Sequence, residues 1–382
     1  GTLTLNGTSA GGWSGTTTIG SRTTLALAAS NQALTNTTGI TLNGGGITLT
    51  SASAAEALLD RVADGAPITS NGGTITFNNT SGSTVYSEIL GAVTLASGAL
   101  KVHEQTAQAS TGSQTLTFSS LSQSGRATAA FSSATALNNT KNMIRVSGAS
   151  GPGAGQSLPG GVITGPWATA GTTVAKPTDY AVYDASGYIL PANITASTED
   201  TWTNPANAYT LSAGTSLTGS RTNTALRYSG AAGALDLGAA DYSLETYGLL
   251  NGGTGLLTVS TTGTGALRTP AGGGNFFLTT GNNSITVSAP ITDSADSQSV
   301  TLVKSGNNTL TLSSTTSTYS GGTVLNEGTL TVSSDANLGA ATGAVIVNGT
   351  ATLLTSPQIT FNRDFALNNN ATSFTNMTTV SM

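Results

Sequence analysis

The chain has 382 residues, of which 8% are charged and 37% hydrophobic, and its net charge is −5. A disordered chain shows the opposite balance, so a folded protein solubilised by hydroxyls and amides is expected. The 12 Lys and Arg are scattered singly, which argues against nucleic acid; the lack of cysteine excludes disulfides and thiol chemistry; no apolar run approaches the ~18 residues of a membrane span.

Glycine (49) and proline (10) make the chain rich in turns without making it collagen-like. No charged start followed by an apolar core marks a signal peptide. A first residue other than Met and a last residue in mid-motif lead to the expectation of a segment cut from something longer, with any export signal or anchor outside it.

Short alternating stretches recur from the first residues onward. Residues 47–50 (ITLT), 74–77 (TITF), 92–95 (AVTL), 115–118 (TLTF), 257–259 (LTV), 284–287 (SITV), 309–312 (TLTL) and 329–332 (TLTV) all place an apolar residue at every second position. Such a pattern turns the apolar side chains to one face and the threonines to the other, and β-branched Thr suits the pleat. Gly321-Gly322 and Asn326-Glu327-Gly328 mark turns between the last two. Strands this short, with almost no helix between them, fit an all-β solenoid better than a sandwich or barrel. Rare charges agree with this, because stacked like charges repel, and recurring Asn and Thr could form ladders between rungs. Rungs of ~20–25 residues would number roughly 15–19 and span about 70–90 Å.

One short helix is predicted at residues 53–62. Ser53-Ala54-Ala55-Glu56 reads as a capping box leading into ALLDRV.

His103, the single histidine, lies in KVHE and reads as an outward polar residue on a strand rather than as a catalytic base. The acidic pairs Asp60/Asp64, Glu199/Asp200, Asp241/Glu245 and Asp293/Asp296 lack calcium-loop spacing and read as solvated turn or helix-end carboxylates. Gly-rich pieces such as 252–257 (GGTGLL) lack the lysine and helix of a phosphate loop. No catalytic residue, metal ligand or cofactor is therefore expected.

Residues 148–210 break the pattern. A Gly/Pro-rich run is followed by Trp167, Tyr180, Tyr183, Tyr188, Trp202 and Tyr209, half of the chain's Trp and Tyr. Two readings stand: an exposed glycan or partner platform, or an excursion whose rings pack over the solenoid flank.

The chain also repeats at long range. Residues 1–34 parallel 308–339, with Trp13-Ser14-Gly15 over Tyr319-Ser320-Gly321, and 39–44 parallel 344–349. The expected organisation is solenoid rungs at 1–147, an irregular aromatic-rich insertion at 148–210, and rungs again at 211–382, with 307–356 repeating 1–51.

The stretch LVKSGNNTLTLSSTTSTYSGGTVLNEGTLTVSSDANLG (302–339) closely resembles the autotransporter-associated β-strand repeat, with its Lys-Ser-Gly turn, TLTL strand, TYSGGT turn and GTLTV strand. Residues 1–50 resemble it less closely, and 70–130 loosely. The resemblance implies a right-handed parallel β-helix (β-solenoid) of the kind built in bacterial autotransporter passengers and very large surface proteins. Modules of that family often carry an aromatic stretch like Trp167-Ala168-Thr169 and Asp179-Tyr180-Ala181-Val182-Tyr183, which favours packing for the rings. Leu310, Leu312, Leu330, Val332, Val345 and Val347 are expected to point into the core. The expected function is a non-catalytic structural shaft, extracellular or on the bacterial cell surface. Its expected partners are neighbouring repeats, further copies stacked end to end, and possible surface glycan. A glycan-binding adhesin and a polysaccharide-degrading β-helix enzyme are the alternatives.

Overall fold

The computed structural model describes residues 1–6, 13–28, 34–51, 53, 60–80, 82–108, 111–151, 165–173, 175–355, 358–368, 374–375 and 379–380. The protein is an all-β solenoid of parallel strands, with about 13 turns among the described residues. It divides into two compact units, residues 1–154, 168–177 and 181–192 in the first and 155–167, 178–180 and 193–382 in the second.

In the first unit, successive strands alternate between two sheets. Thr2–Asn6, Thr24–Ala28, Gly46–Ser51, Gly73–Asn79, Ala99–Glu104, Thr128–Ser133 and Ala168–Gly171 build one; Ser14–Gly20, Asn36–Asn43, Ile68–Ser70, Val85–Leu95, Ser113–Gln123 and Asn142–Val146 build the other. Parallel register stacks like on like. Leu3, Leu25, Ile47, Ile75, Val102, Phe131 and Ala170 form one continuous column. From Leu25 onward it is buried, and that apolar burial drives the fold. Residues 181–183 pair antiparallel with Ile189–Pro191 in a terminal hairpin.

The second unit repeats the scheme with two eight-stranded sheets and a three-stranded one made of Arg221–Asn223, Leu244–Thr246 and Leu267–Arg268. Leu257, Ile285, Leu310, Leu330 and Leu353 stack in one interior column, and Val259, Val287, Leu312 and Val332 in the next. Leu310, Leu312, Leu330, Val332, Val345 and Val347 are all buried. On the outer face Thr258, Thr286, Thr311 and Thr331 form a matching column.

Three expectations change. Successive strands lie 17 residues apart from Ala208 to Ala225 and 39 apart from Ala129 to Ala168, so rungs vary in length and, among the described residues, are fewer than 15. Such variation is tolerated because only the strands need register. Residues 54–59 of the expected helix lie outside the described residues, but Asp60 and Arg61 are not helical and Val62 bridges Leu34. The Arg61 and Val62 amides donate instead to Glu88 Oε1 at 3.1 and 3.2 Å, and the Arg61 carbonyl accepts from the Leu34 amide. Finally, the stretch 148–210 contains the strands Ala168–Gly171 and Ala208–Leu211, each a member of a long parallel sheet.

Candidate functional site

The most specialised local structure lies between residues 300 and 368, where the corners of successive rungs are clamped together. Strand Val300–Ser305 is buried along its whole length, including Lys304. The Lys304 Nζ donates to the carbonyls of Ser305 (2.9 Å), Gly306 (2.6 Å) and Glu327 (2.9 Å), so each ammonium hydrogen has an acceptor. Two of those acceptors belong to its own turn and the third to the next rung. Burial pushes the Lys304 pKa down to about 7, opposed by the Glu327 carboxylate.

Glycine makes this contact possible. Gly306 and Gly328 have φ of 79° and 71°, in the left-handed region. A Cβ on Gly328 would stand 2.2 Å from the Gly306 carbonyl oxygen and 2.8 Å from Lys304 Nζ. The turns therefore stack backbone on backbone. One rung back, Thr280 Oγ1 donates to the Asn308 carbonyl at 2.9 Å, and Asn308 Nδ2 to Gly281 O at 2.7 Å.

An asparagine ladder runs beside the clamp. Asn348 Nδ2 donates to Asn326 Oδ1 (2.8 Å) and Asn368 Nδ2 to Asn348 Oδ1 (3.1 Å). Each amide can donate to one neighbour and accept from the other, so the pattern propagates rung by rung.

The opposite corner is held by side chains that reach backbone groups. Tyr319 is buried, its hydroxyl 2.8 Å from Thr323 Oγ1. Asp293 Oδ1 accepts from the Val300 and Ser320 amides at 2.8 and 2.9 Å. Arg363 pairs with Asp335 Oδ1 at 2.6 Å and spreads its other nitrogens over the carbonyls of Asp335, Leu338, Ala340, Gly339 and Gly343. The loop around the short 3-10 helix Asp335–Leu338 is thereby fixed to the following rung.

Strand, Lys-Ser-Gly turn, strand, Tyr-Ser-Gly-Gly corner and strand now stand as one structural unit. Residues 302–332 match the family model of the passenger-associated-transport-repeat. No curated protein and no solved structure matches the chain. Within this matched stretch, Gly306, Gly328 and Lys304 serve rung-to-rung contact.

The aromatic residues of the middle region occupy three separate places. Trp202 is buried, donates through Nε1 to Ser197 Oγ at 3.1 Å and stacks on Tyr209 with ring centroids 5.7 Å apart. The Tyr209 hydroxyl accepts from the Asn204 amide at 3.0 Å. Tyr180 is buried, its hydroxyl donating to Leu226 O at 3.1 Å, and Trp167 is buried too. Tyr183 and Tyr188 are half-buried in the terminal hairpin, where the Arg145 guanidinium lies 5.7 Å from the Tyr188 ring. Four of the six rings are thus buried in protein.

Two carboxylates read as solvated turn the other way: Glu199 is buried and pairs with Arg221 at 2.6 Å, and Glu245 pairs with Arg268, its partner on the next rung, at 2.7 Å. Asp179, also buried, pairs with Arg227 at 3.0 Å. Among the described residues, no three His, Asp or Glu side chains gather as a metal-binding group would require. His103 faces outward and meets Ser132 Oγ of the next rung at 2.8 Å through Nδ1, and burial lowers its pKa. Sequence reasoning missed the interior ions Lys304, Arg363, Glu104 and the Arg61/Glu88 pair, whose charged atoms are 3.6 Å apart. For Glu104 a signal existed: in ALKVHE the alternation that turns Leu100 and Val102 inward also turns Glu104 inward.

Proposed function

We propose that this chain is a structural shaft segment of a bacterial surface passenger protein, and that it carries load without catalysing a reaction. The observation that carries the reading is the passenger-associated-transport-repeat at 302–332, set in a solenoid whose corners are tied rung to rung by Lys304, Arg363 and the Asn326/Asn348/Asn368 ladder. Buried backbone groups are paired between rungs, and the outer face of Thr columns is uncharged and chemically plain. Intact cells of the source bacterium would be labelled with antibody raised against the chain and, separately, treated with external protease. Surface labelling with loss of the antigen on protease treatment supports the reading; an antigen reached only after lysis overturns it.

The same reading assigns the sheet edges a partner. Edge strand Thr2–Asn6 leaves Leu3 about half exposed, and Trp13 stands beside it over a cleft of about 420 Å³ lined also by Ile19 and Leu25. Exposed Leu3 and Trp13 beside a parallel strand are complementary to another rung of the same kind. Sedimentation of the purified chain should show concentration-dependent association that Leu3→Lys weakens; a strictly monomeric wild type rules this partner out.

A further inference from the structure

The interior of the first unit changes character in one corner. The inward column that begins Leu27, Leu49, Phe77 continues with Glu104 and Ser133. Glu104 is fully buried, and neither of its carboxylate oxygens has a hydrogen-bond partner. The Met143 N–H faces the carboxylate without closing a well-formed bond.

Beside it, two amides are turned in a defined sense. Gln114 Nε2 donates to the Thr106 carbonyl at 2.7 Å. A carbonyl can only accept, so the Gln114 amide is oriented with its Oε1 toward Asn79 and Gln108. Asn79 Nδ2 and Gln108 Nε2 both donate to that oxygen, at 3.1 and 3.4 Å. Gln108 Nε2 also faces the Thr80 carbonyl at 3.4 Å. Asn79 Oδ1 and Gln108 Oε1 are therefore directed away from Gln114, and both are buried without a donor.

The register brings these groups to one corner. Phe77 pairs with Glu104, so Asn79, two residues along the same face, is its diagonal neighbour on the adjoining rung. Gln108 and Gln114 follow Glu104 in the same turn, and the Gln108 amide N–H reaches Asn142 Oδ1, one residue before Met143. With Glu104 ionised, the unmatched atoms are all acceptors: four oxygens on three buried residues. Buried acceptors left unmatched are costly, and a hard cation is the species that satisfies oxygens alone.

We propose that Glu104, Asn79 and Gln108 form the oxygen cage of a buried Ca²⁺ ion. The free carboxylate can bind in two-toothed fashion, and amide oxygens are ordinary calcium ligands. Mg²⁺ fits less well, since it demands octahedral geometry and retains its waters. With one carboxylate the affinity belongs at the weak end, a Kd of roughly 10⁻⁴–10⁻³ M, as in extracellular modules.

The test uses the full chain, stripped with chelator and titrated with CaCl₂ by equilibrium dialysis and thermal unfolding. One bound Ca²⁺ per chain, with a Tm that rises and saturates in the millimolar range, is expected. Glu104→Gln, which preserves shape and burial, should keep the β circular dichroism while losing both responses. Absence of binding at 10 mM CaCl₂, binding unchanged in Glu104→Gln, or a Tm rise given equally by NaCl or KCl at matched ionic strength would each overturn the assignment.

Discussion

Lys304 and Glu327 meet across a rung boundary: the buried ammonium of one donates to the backbone carbonyl of the other at 2.9 Å. Lys304→Met keeps the length and apolar stem but strands three carbonyls without a donor. A loss of ~2–4 kcal/mol is expected in the urea unfolding of the second unit, since each buried acceptor left unmatched costs about 1–3 kcal/mol and partial relaxation recovers some. Unchanged stability would mean that the clamp contributes nothing net.

Gly328→Ala tests the close stacking of turns. The residue combines φ of 71° with a would-be Cβ 2.2 Å from a backbone oxygen, and backbone cannot step aside as a flexible side chain can. Destabilisation should exceed the ~1 kcal/mol that a left-handed conformation alone costs a non-glycine residue. Thermal unfolding of the variant beside Gly349→Ala, whose Cβ meets open space at φ 59°, separates strain from clash.

Stability should depend on pH with opposite sign in the two units. Burial, opposed by the Arg61 guanidinium and the Arg61 and Val62 amides and helped by Asp60, raises the Glu88 pKa from its ordinary 4.5 to about 8. Its contribution is full below pH 4.5 and is lost as pH rises through 8, because there the folded state holds the extra proton. Lys304 is depressed to about 7 from 10.5, so the unfolded chain holds the extra proton between those values and stability rises with pH across them. Urea midpoints from pH 4 to 10 for Glu88→Gln and Lys304→Met should each lose the corresponding slope, of a few kcal/mol at most.

Trp202→Ala removes a buried ring stacked on Tyr209 and should destabilise the second unit by ~3–5 kcal/mol. Denaturant unfolding followed by circular dichroism would show it. A variant as stable as the wild type would contradict the packing role of this ring.

The parts of this molecule legible in its sequence are those governed by period two. TLTL and TLTV place Leu310, Leu312, Leu330 and Val332 inward whatever their neighbours, because the pleat alone sets the alternation. Lys304 was not legible for the opposite reason. Lysine is almost always exposed, and only the carbonyls brought together by two successive turns, distant in sequence, make Lys304 tolerable inside. Glu199 and Glu245 likewise read as surface carboxylates because their partners Arg221 and Arg268 arrive from a neighbouring rung. Burial of Trp167, Tyr180, Trp202 and Tyr209 was not legible either, because the residues that cover them come from other strands and turns.

The load-bearing claim is tested most directly by pulling the chain from its two ends with a single-molecule force probe. Rungs tied individually should yield one after another. The step from a rung of 22 residues, the Asn326-to-Asn348 repeat, should release about 70–80 Å of chain. Lys304→Met should lower the force of the steps from that region and leave others unchanged. Featureless extension at low force, or the same trace with and without Lys304, would contradict the account.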